Sequence, residues 1–160
     1  MNTLLYQKRP YHKRGGTAIM TASLLLVMAF ASLSARAAEA IEATLYKNPG
    51  CLCCDEYAAY LRPHGFDVTV IARDDLSEVK REHAIPPRLQ GCHTLLVDGY
   101  AVEGHVPVTA INKLLRERPD IRGISLPGMP AGSPGMGGRK QAPFVVYSIA
   151  DDETSVFVAD

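Results

Sequence analysis

Residues 41–62, IEATLYKNPGCLCCDEYAAYLR, contain the pattern that decides the fold. Residues 41–47 alternate apolar and polar side chains, which is typical of a half-buried strand. The NPG tripeptide at 48–50 interrupts that pattern and indicates a tight loop. From 53 to 62, apolar residues recur at helical spacing. The segment therefore predicts a strand, a loop and a helix, with cysteines where the helix begins.

Patterns further along the chain extend this beginning into a complete α/β fold. They predict a strand at 66–72, a helix capped by Asp74 or Asp75 that runs to about His83, strands at 93–97 and 100–103 joined by an Asp98-Gly99 hairpin turn, and a helix from about Val108 to Arg118. The order β-α-β-α-β-β-α is that of the thioredoxin architecture, a mixed sheet flanked by helices. We therefore predict a thioredoxin-like α/β fold.

The C-terminal part of the chain differs in composition. Residues 124–141, ISLPGMPAGSPGMGGRKQ, are rich in Pro and Gly and contain Pro-Gly-Met twice, at 127–129 and 134–136. Such a composition predicts a loop. Residues 144–149 and 154–158 are predicted to form a closing β-hairpin. The Pro/Gly stretch is therefore expected to be a loop tethered at both ends.

The N-terminus predicts export. Four basic residues and no acidic one precede an apolar run at 17–33, and Ala35-Arg36-Ala37 places small residues at the positions that signal peptidase reads. Cleavage before Ala38 is the simplest interpretation. The alternative is an uncleaved anchor, because the run approaches the length of a spanning helix. The predicted organisation is a signal peptide at 1–37, a thioredoxin-like core at 38–122 and a C-terminal extension at 123–160 packed on the same domain.

Charge and motif content exclude several functions. Loss of residues 1–37 leaves 12 Lys and Arg against 17 Asp and Glu, a net charge near −5. Without a basic cluster, the mature chain has no surface suited to a nucleic-acid backbone, and we expect no membrane contact after cleavage. Gly-rich phosphate loop, H-E-x-x-H and G-x-S-x-G motifs are absent from the sequence. Nothing specific favours a Cys/His hydrolase.

The cysteines point to chemistry at one place. An even count in an oxidising compartment first suggests two structural disulfides, but three of the four cysteines fall within residues 51–54 and cannot connect distant parts of a fold. Cys51 and Cys54 have the spacing of redox dithiols at a helix N-terminus. Cys53 would compete with them for a disulfide, whereas three sulfurs suit a soft metal such as Cu(I), zinc or an iron–sulfur cluster.

Five residues elsewhere are candidate ligands. In a thioredoxin-like fold the loop before the third strand faces the cysteine motif, so Cys92 is expected there; the alternative is a buried cysteine acting as a small hydrophobe. His105 is preferred to His93, because strand alternation should direct His93 away from Cys92. Met129 and Met136, the methionines of the mature chain, can offer thioethers or act as loop anchors.

Five segments together carry a family resemblance. They are YKNPGCLCC at 46–54, GCHT at 91–94, VDGY at 97–100, EGHVP at 103–107 and LPGMP at 126–130. This combination resembles the CopG-type periplasmic copper-resistance proteins, long catalogued as a domain of unknown function, over residues 41–160. The resemblance implies a thioredoxin domain with a C-terminal extension, a cysteine-bridged copper cluster beside Cys51, Cys53 and Cys54, and interconversion of copper oxidation states. The choice of copper over zinc depends on this resemblance.

The sequence thus predicts a periplasmic copper-binding protein that contributes to copper resistance and could act as a copper oxidoreductase. Its expected partners are copper ions and other periplasmic copper-handling or efflux proteins. The alternatives are a thiol–disulfide oxidoreductase that uses Cys51 and Cys54, and a module held together by disulfides. Thioredoxins have a cis-proline before the third core strand, where this chain has Gly91-Cys92, and this difference argues against general disulfide exchange.

Overall fold

A computed structural model describes residues 39–151 and 154–159. The predicted signal peptide at 1–37 and the cleavage site before Ala38 lie outside these residues. In the described part of the chain, no helix has the length and apolar character needed to cross a bilayer.

The described residues form a seven-stranded mixed sheet with three α-helices. The strands are β1 (Ile41–Lys47), β2 (Phe66–Ala72), β3 (His93–Val97), β4 (Tyr100–Gly104), β5 (Gly123–Leu126), β6 (Val145–Ile149) and β7 (Val156–Ala159). The helices are α1 (Leu52–Leu61), α2 (Ser77–Glu82) and α3 (Val108–Glu117), with 3₁₀ turns at Arg62–His64 and Pro87–Leu89. The strand order is β2-β1-β3-β4-β5-β6-β7. The pairs β1–β2 and β4–β5 are parallel and the others are antiparallel.

The sheet buries apolar side chains on both faces. Successive residues of β3 point to opposite sides, so that Leu95 joins one apolar cluster and Leu96 packs against another. Helices α1 and α3 cover the first face, where Leu61 and Ile111 are fully buried. Each such side chain contributes about 1.5–3 kcal/mol through its removal from water. This core holds the N-terminus of α1 against the ends of β1 and β3.

The predicted α/β class with a mixed sheet is confirmed, while the finer thioredoxin-like assignment stays a prediction. The hairpin turn is also confirmed, since Asp98 and Gly99 both have positive φ, 47° and 83°, as a two-residue turn of this kind requires. Helix α1 begins at Leu52, one residue before the predicted start, and ends at Leu61. Helix α2 begins at Ser77, later than predicted, where Asp75 accepts a hydrogen bond from the Ser77 amide.

The prediction of a loop immediately after the core is wrong at its first residues. Gly123–Leu126 form β5, which is buried throughout and pairs in parallel with β4. A β-carbon on Gly123 would lie 1.8 Å from the Ala101 carbonyl oxygen, so glycine is needed for this close pairing. All four residues are buried, including Ser125, whose hydroxyl donates to the Leu89 carbonyl oxygen. A strand of four residues that is covered on both faces gave no pattern to separate it from the Pro/Gly-rich loop that follows.

Candidate metal centre

The loop between β1 and α1 is held by a buried lysine. The Lys47 Nζ lies 3.3 Å from the Cys51 carbonyl oxygen, 3.4 Å from that of Pro49 and 2.9 Å from Asp55 Oδ2. These hydrogen bonds fix the backbone on which Cys51 precedes the first turn of α1. The ammonium group and the free N–H groups of the helix N-terminus both favour negative charge on nearby sulfur. Sequence reasoning missed Lys47, whose place at the end of an alternating strand is an ordinary position for a solvated lysine.

All four cysteines meet at this point. Cys51 and Cys54 form a disulfide, and Cys53 and Cys92 are free. The Cys51 and Cys53 sulfurs are 3.5 Å apart, and the Cys54 and Cys92 sulfurs are also 3.5 Å apart. All four sulfurs lie within 4.8 Å of one another. The structure therefore places Cys92 beside these three cysteines, although it follows even Cys54 by 38 positions in the sequence.

Two buried histidines lie on the other side of Cys92. The Cys92 sulfur is 3.3 Å from His105 Nε2 and 3.5 Å from His93 Nδ1, and these three residues form a second group of ligand atoms within 4.8 Å. The expectation that alternation would direct His93 away from Cys92 is wrong. Cys92 precedes β3 and does not have strand geometry, so the alternation rule does not apply between these two residues.

The protonation of these histidines suits a ligand role. His105 Nδ1 is 2.7 Å from the Pro134 carbonyl oxygen, which can only accept a hydrogen bond, so Nδ1 carries the proton and Nε2 presents its lone pair toward Cys92. Burial lowers the pKa of His105. Burial, then the proximity of His105 and Lys80, lowers the pKa of His93 to about 3. Both imidazoles are therefore neutral at ordinary pH, the state that binds metal.

One nitrogen in this group has no protein partner. His93 Nε2 is buried and makes no hydrogen bond to any described residue, although a buried polar atom without a partner is costly. Tyr57 packs against both imidazoles, with its ring centroid 4.6 Å from that of His93 and 5.4 Å from that of His105. The Tyr57 hydroxyl donates to the Val106 carbonyl at 2.8 Å, which fixes this ring against both imidazoles.

The C-terminal loop packs on the same helix. A β-carbon on Gly135 would lie 2.8 Å from the Cys53 carbonyl oxygen and 2.7 Å from the Tyr57 amide nitrogen, so this loop residue touches the first turns of α1. Met136 follows it directly and is partly buried. Met129 has a φ of 46° and a side chain that is 41% exposed. Met136 therefore follows a residue that contacts the helix carrying the cysteines. The sequence could not show this difference between Met136 and Met129, because both stand in identical Pro-Gly-Met tripeptides.

The thiol of Cys92 is protonated before a metal binds. Burial, reinforced by Cys53, raises the pKa of Cys92 to about 12. A metal ion would have to displace this proton, so its affinity should rise with pH. The two groups offer sulfur and imidazole nitrogen and include no carboxylate. This donor set fits copper or zinc and does not fit magnesium or calcium.

Two solved structures of the copper resistance protein CopG resemble this chain. Form 2 is 38% identical and has a TM-score of 0.71, and the match covers 76% of this chain and 99% of that chain. Form 1 is 38% identical with a TM-score of 0.70, and the match covers 76% and 98%. This chain belongs to the CopG family. The resemblance inferred from the sequence motifs is therefore confirmed.

One family model matches part of the chain. The model described as "Protein of unknown function, DUF411" matches residues 89–136, a segment that includes Cys92, His93, His105 and both candidate methionines. No curated protein sequence matches the chain. The CopG structures thus supply the family, and the matched segment contains every candidate ligand outside the cysteine motif.

Proposed function

We propose that this CopG-family chain is a periplasmic copper-binding protein that contributes to copper resistance. The observation that carries the proposal is the approach of the four cysteine sulfurs to within 4.8 Å of one another. Thiolates at such distances select soft ions such as Cu(I). Likeness to copper resistance proteins favours copper over zinc. Once the Cys51–Cys54 disulfide is reduced, the proposed ligands are Cys51, Cys53, Cys54 and Cys92. Met136 and Met129 are candidate thioether ligands from the C-terminal loop.

The histidines extend this site. His105 and His93 flank Cys92, and imidazole nitrogen suits Cu(II) as well as Cu(I). Cys92 thus joins an all-sulfur ligand set on one side to a sulfur-and-nitrogen set on the other. The His93 Nε2 atom has no hydrogen-bond partner among the described residues, so a bound metal ion could accept its lone pair or a water molecule could form a hydrogen bond with it.

The Cys51–Cys54 disulfide favours a second, redox function with copper as the substrate. As dithiols, these residues carry the two electrons and two protons that disulfide formation releases. Two Cu(II) ions would accept one electron each and become two Cu(I), and solvent would take the protons. In the reverse direction, two Cu(I) ions would give one electron each to the disulfide and become two Cu(II), and the two thiols would take their protons from solvent. The proposed enzymatic role is therefore interconversion of Cu(I) and Cu(II), with Cys51 and Cys54 as the redox pair.

The proposed location depends on the N-terminal segment, and the proposed partners depend on the redox role. The basic and apolar residues at 1–37 are proposed to be a signal peptide that exports the chain to the periplasm. Other copper-handling or efflux proteins of that compartment are the proposed partners, since a protein that changes the valence of copper must receive and release the ion. We also propose that residues 38–122 form the thioredoxin-like core and that residues 123–160 form a C-terminal extension packed on it. The extension would supply Met129 and Met136 to the metal site.

Copper content of reduced protein tests the binding site. The mature protein, exposed to limiting Cu(I) and then passed through a desalting column, should retain copper, whereas Cys51→Ser and Cys92→Ser should lose most of it. His64→Asn is the matched control, because His64 is an exposed histidine at the far end of α1. Equal copper in the wild type and both cysteine variants would refute the site.

Anaerobic titration tests the redox role. Reduced protein given two equivalents of Cu(II), with a colorimetric Cu(I) chelator present, should lose two thiols for every two Cu(I) formed. Cys54→Ser should abolish the Cys51–Cys54 disulfide and slow the formation of Cu(I). Thiol loss without Cu(I), or Cu(I) formation without thiol loss, would contradict the electron balance.

A general thiol–disulfide oxidoreductase is the alternative that the same disulfide allows. Where thioredoxins have a cis-proline before the third strand, this chain has Gly91-Cys92, which argues against general disulfide exchange. Insulin reduction separates the two functions. The copper proposal expects negligible insulin turnover by Cys51 and Cys54, and rates that match those of thioredoxin would favour the alternative.

A further inference from the structure

A buried ion pair lies behind Cys92. Lys80 of α2 contacts Glu103 of β4, and their side chains are only 9% and 0% exposed. Removing two charges from water carries a large desolvation cost for each ion, and their attraction often does no more than offset this cost. Apolar side chains of similar size would serve the core at least as well. The pair therefore calls for an explanation other than stability.

Both partners of the pair bind the backbone of the same residue, Gly91. The Gly91 amide donates to Glu103 Oε1 at 2.6 Å, and Lys80 Nζ donates to the Gly91 carbonyl at 3.2 Å. The other carboxylate oxygen of Glu103 accepts from Thr94 Oγ1 at 2.6 Å. Glu103 thus links Gly91 with Thr94, the residues on either side of Cys92 and His93. We call Lys80 and Glu103, with their contacts to Gly91, the Gly91 clamp.

The backbone at this point is also in close contact with β4. A β-carbon on Gly91 would lie 3.0 Å from the Gly104 α-carbon and 3.7 Å from Glu103 Oε1. Glycine therefore lets the loop approach closely enough for both hydrogen bonds to form. Gly91 belongs to no helix or strand, so regular secondary structure does not fix its amide and carbonyl groups. The hydrogen bonds from Lys80 and Glu103 hold these two groups, as the hydrogen bonds between neighbouring strands do within the sheet.

We propose that Lys80 and Glu103 are positioning residues for Cys92, an inference that rests on the proposed function of Cys92 as a copper ligand. They hold Gly91 so that the next residue places its sulfur 3.5 Å from Cys54 Sγ and 3.3 Å from His105 Nε2. Cys92 bridges the two ligand groups, so a small displacement of its backbone would open both. Hydrogen-bonded groups behind a metal ligand commonly fix its orientation in this way.

A charge-free variant tests the clamp without leaving a buried charge. Lys80→Met combined with Glu103→Leu removes both side-chain hydrogen bonds to Gly91 while preserving approximate volume, an exchange that buried ion pairs often tolerate. Copper affinity should fall by about 10- to 100-fold, the usual effect of losing such supporting groups, and the copper absorption spectrum should change. In metal-free protein, Cys92 should be alkylated faster, whereas Cys53 in the same sample should react at its wild-type rate.

Tyr100→Phe is the matched control. Tyr100 lies on β4, as Glu103 does, but its hydroxyl donates to the Pro119 carbonyl at 2.9 Å, at the other end of the strand. Its copper affinity, spectrum and Cys92 alkylation should equal those of the wild type. The more conservative Glu103→Gln retains one oxygen for the Gly91 amide and should fall between wild type and the double variant. If the folded double variant matched Tyr100→Phe in all three measurements, the clamp would be refuted.

A measurement on the wild type keeps the inference testable if the double variant does not fold. The Gly91 amide should exchange with deuterium slowly, because its hydrogen bond to Glu103 is part of a buried network; rapid exchange would overturn the proposal. The two proposals also fail differently. Copper retention in Cys92→Ser would remove Cys92 from the metal site, but the alkylation rate of Cys92 and the exchange rate of Gly91 in metal-free protein would still decide whether the clamp exists.

Discussion

The two sides of the candidate centre differ in exposure. On the side where α1 begins, Cys51 and Cys53 are partly exposed, and Leu52 between them is 78% exposed. On the side where β3 begins and β4 ends, His93 and His105 are fully buried and packed against Tyr57. The first side is accessible to ions, thiols and partner proteins. The second side is part of the core, so its side chains cannot move far without disturbing the packing of the fold.

The difference extends to redox state. Formation of the disulfide between the partly exposed Cys51 and the buried Cys54 removes two thiolates from the side where α1 begins, and leaves Cys53 and Cys92. The imidazoles on the buried side are unaffected by this oxidation. Reduced protein therefore offers mainly sulfur, whereas oxidised protein offers sulfur and nitrogen in more equal number. This contrast matches the preferences of Cu(I) and of Cu(II), and Cys92, which touches both sides, is the residue on which it depends.

Removal of the residue shared by both sides should have the largest effect. Cys92→Ser replaces a soft ligand with a hard hydroxyl, so copper retention should fall almost as far as in Cys51→Ser or Cys54→Ser when metal content is measured after desalting. The thiol–disulfide alternative predicts another result: Cys92→Ser would leave Cys51/Cys54 exchange nearly intact, while either substitution at α1 abolishes it. If Cys92→Ser retained as much copper as the wild type, Cys92 would not be a copper ligand, and the two ligand groups would not form one site.

Burial of His93 should make the stability of the protein depend on pH. The pKa of His93 is about 3 in the folded state, below the value of about 6.5 in an unfolded chain. The unfolded state therefore binds more protons between these values, and stability must fall as pH decreases from about 6.5 toward 3. Above pH 6.5 the stabilisation is complete.

The expected slope is about 1.4 kcal/mol per pH unit from this histidine. Urea unfolding of metal-free wild type and His93→Gln, measured at several pH values, isolates the contribution, because the carboxylates are common to both proteins. Parallel pH profiles for the two proteins would show that His93 is not held neutral by the core.

Copper should stabilise the reduced protein. A ligand that binds only the folded state contributes about 2.7 kcal/mol at a concentration one hundred times its dissociation constant. Thermal unfolding with Cu(I) should therefore shift to higher temperature in reduced wild type and shift less after the Cys51–Cys54 disulfide has formed. An equal shift in the two redox states would mean that the exposed sulfurs do not bind the ion.

The smallest effects should come from the C-terminal loop. Met129→Leu and Met136→Leu remove a thioether with little change in volume, so the free energy of unfolding should change by less than about 1.5 kcal/mol. Met136 follows Gly135, which contacts α1, and we expect its substitution to alter the copper spectrum more than Met129→Leu does. Wild-type spectra in both variants would remove the methionines from the site.

The sequence predicted most of the fold because its signals are local. Strands 66–72 and 93–97 are observed at their predicted bounds, since alternation and turn residues specify them directly. Strand β5 was missed because its pairing depends on contact with β4, which no local pattern shows. The cysteine motif was visible in the sequence, but the role of Lys47 and the approach of His93 to Cys92 depend on how separate elements pack.

X-ray absorption at the copper edge of loaded, reduced protein tests the central claim most directly, because it reports which atoms surround the metal. The account predicts that copper bound to wild-type protein has predominantly sulfur neighbours, and that the sulfur contribution declines in favour of nitrogen when the Cys51–Cys54 pair is oxidised. A first shell of nitrogen and oxygen alone in the reduced protein would contradict a copper centre built on Cys51, Cys53, Cys54 and Cys92.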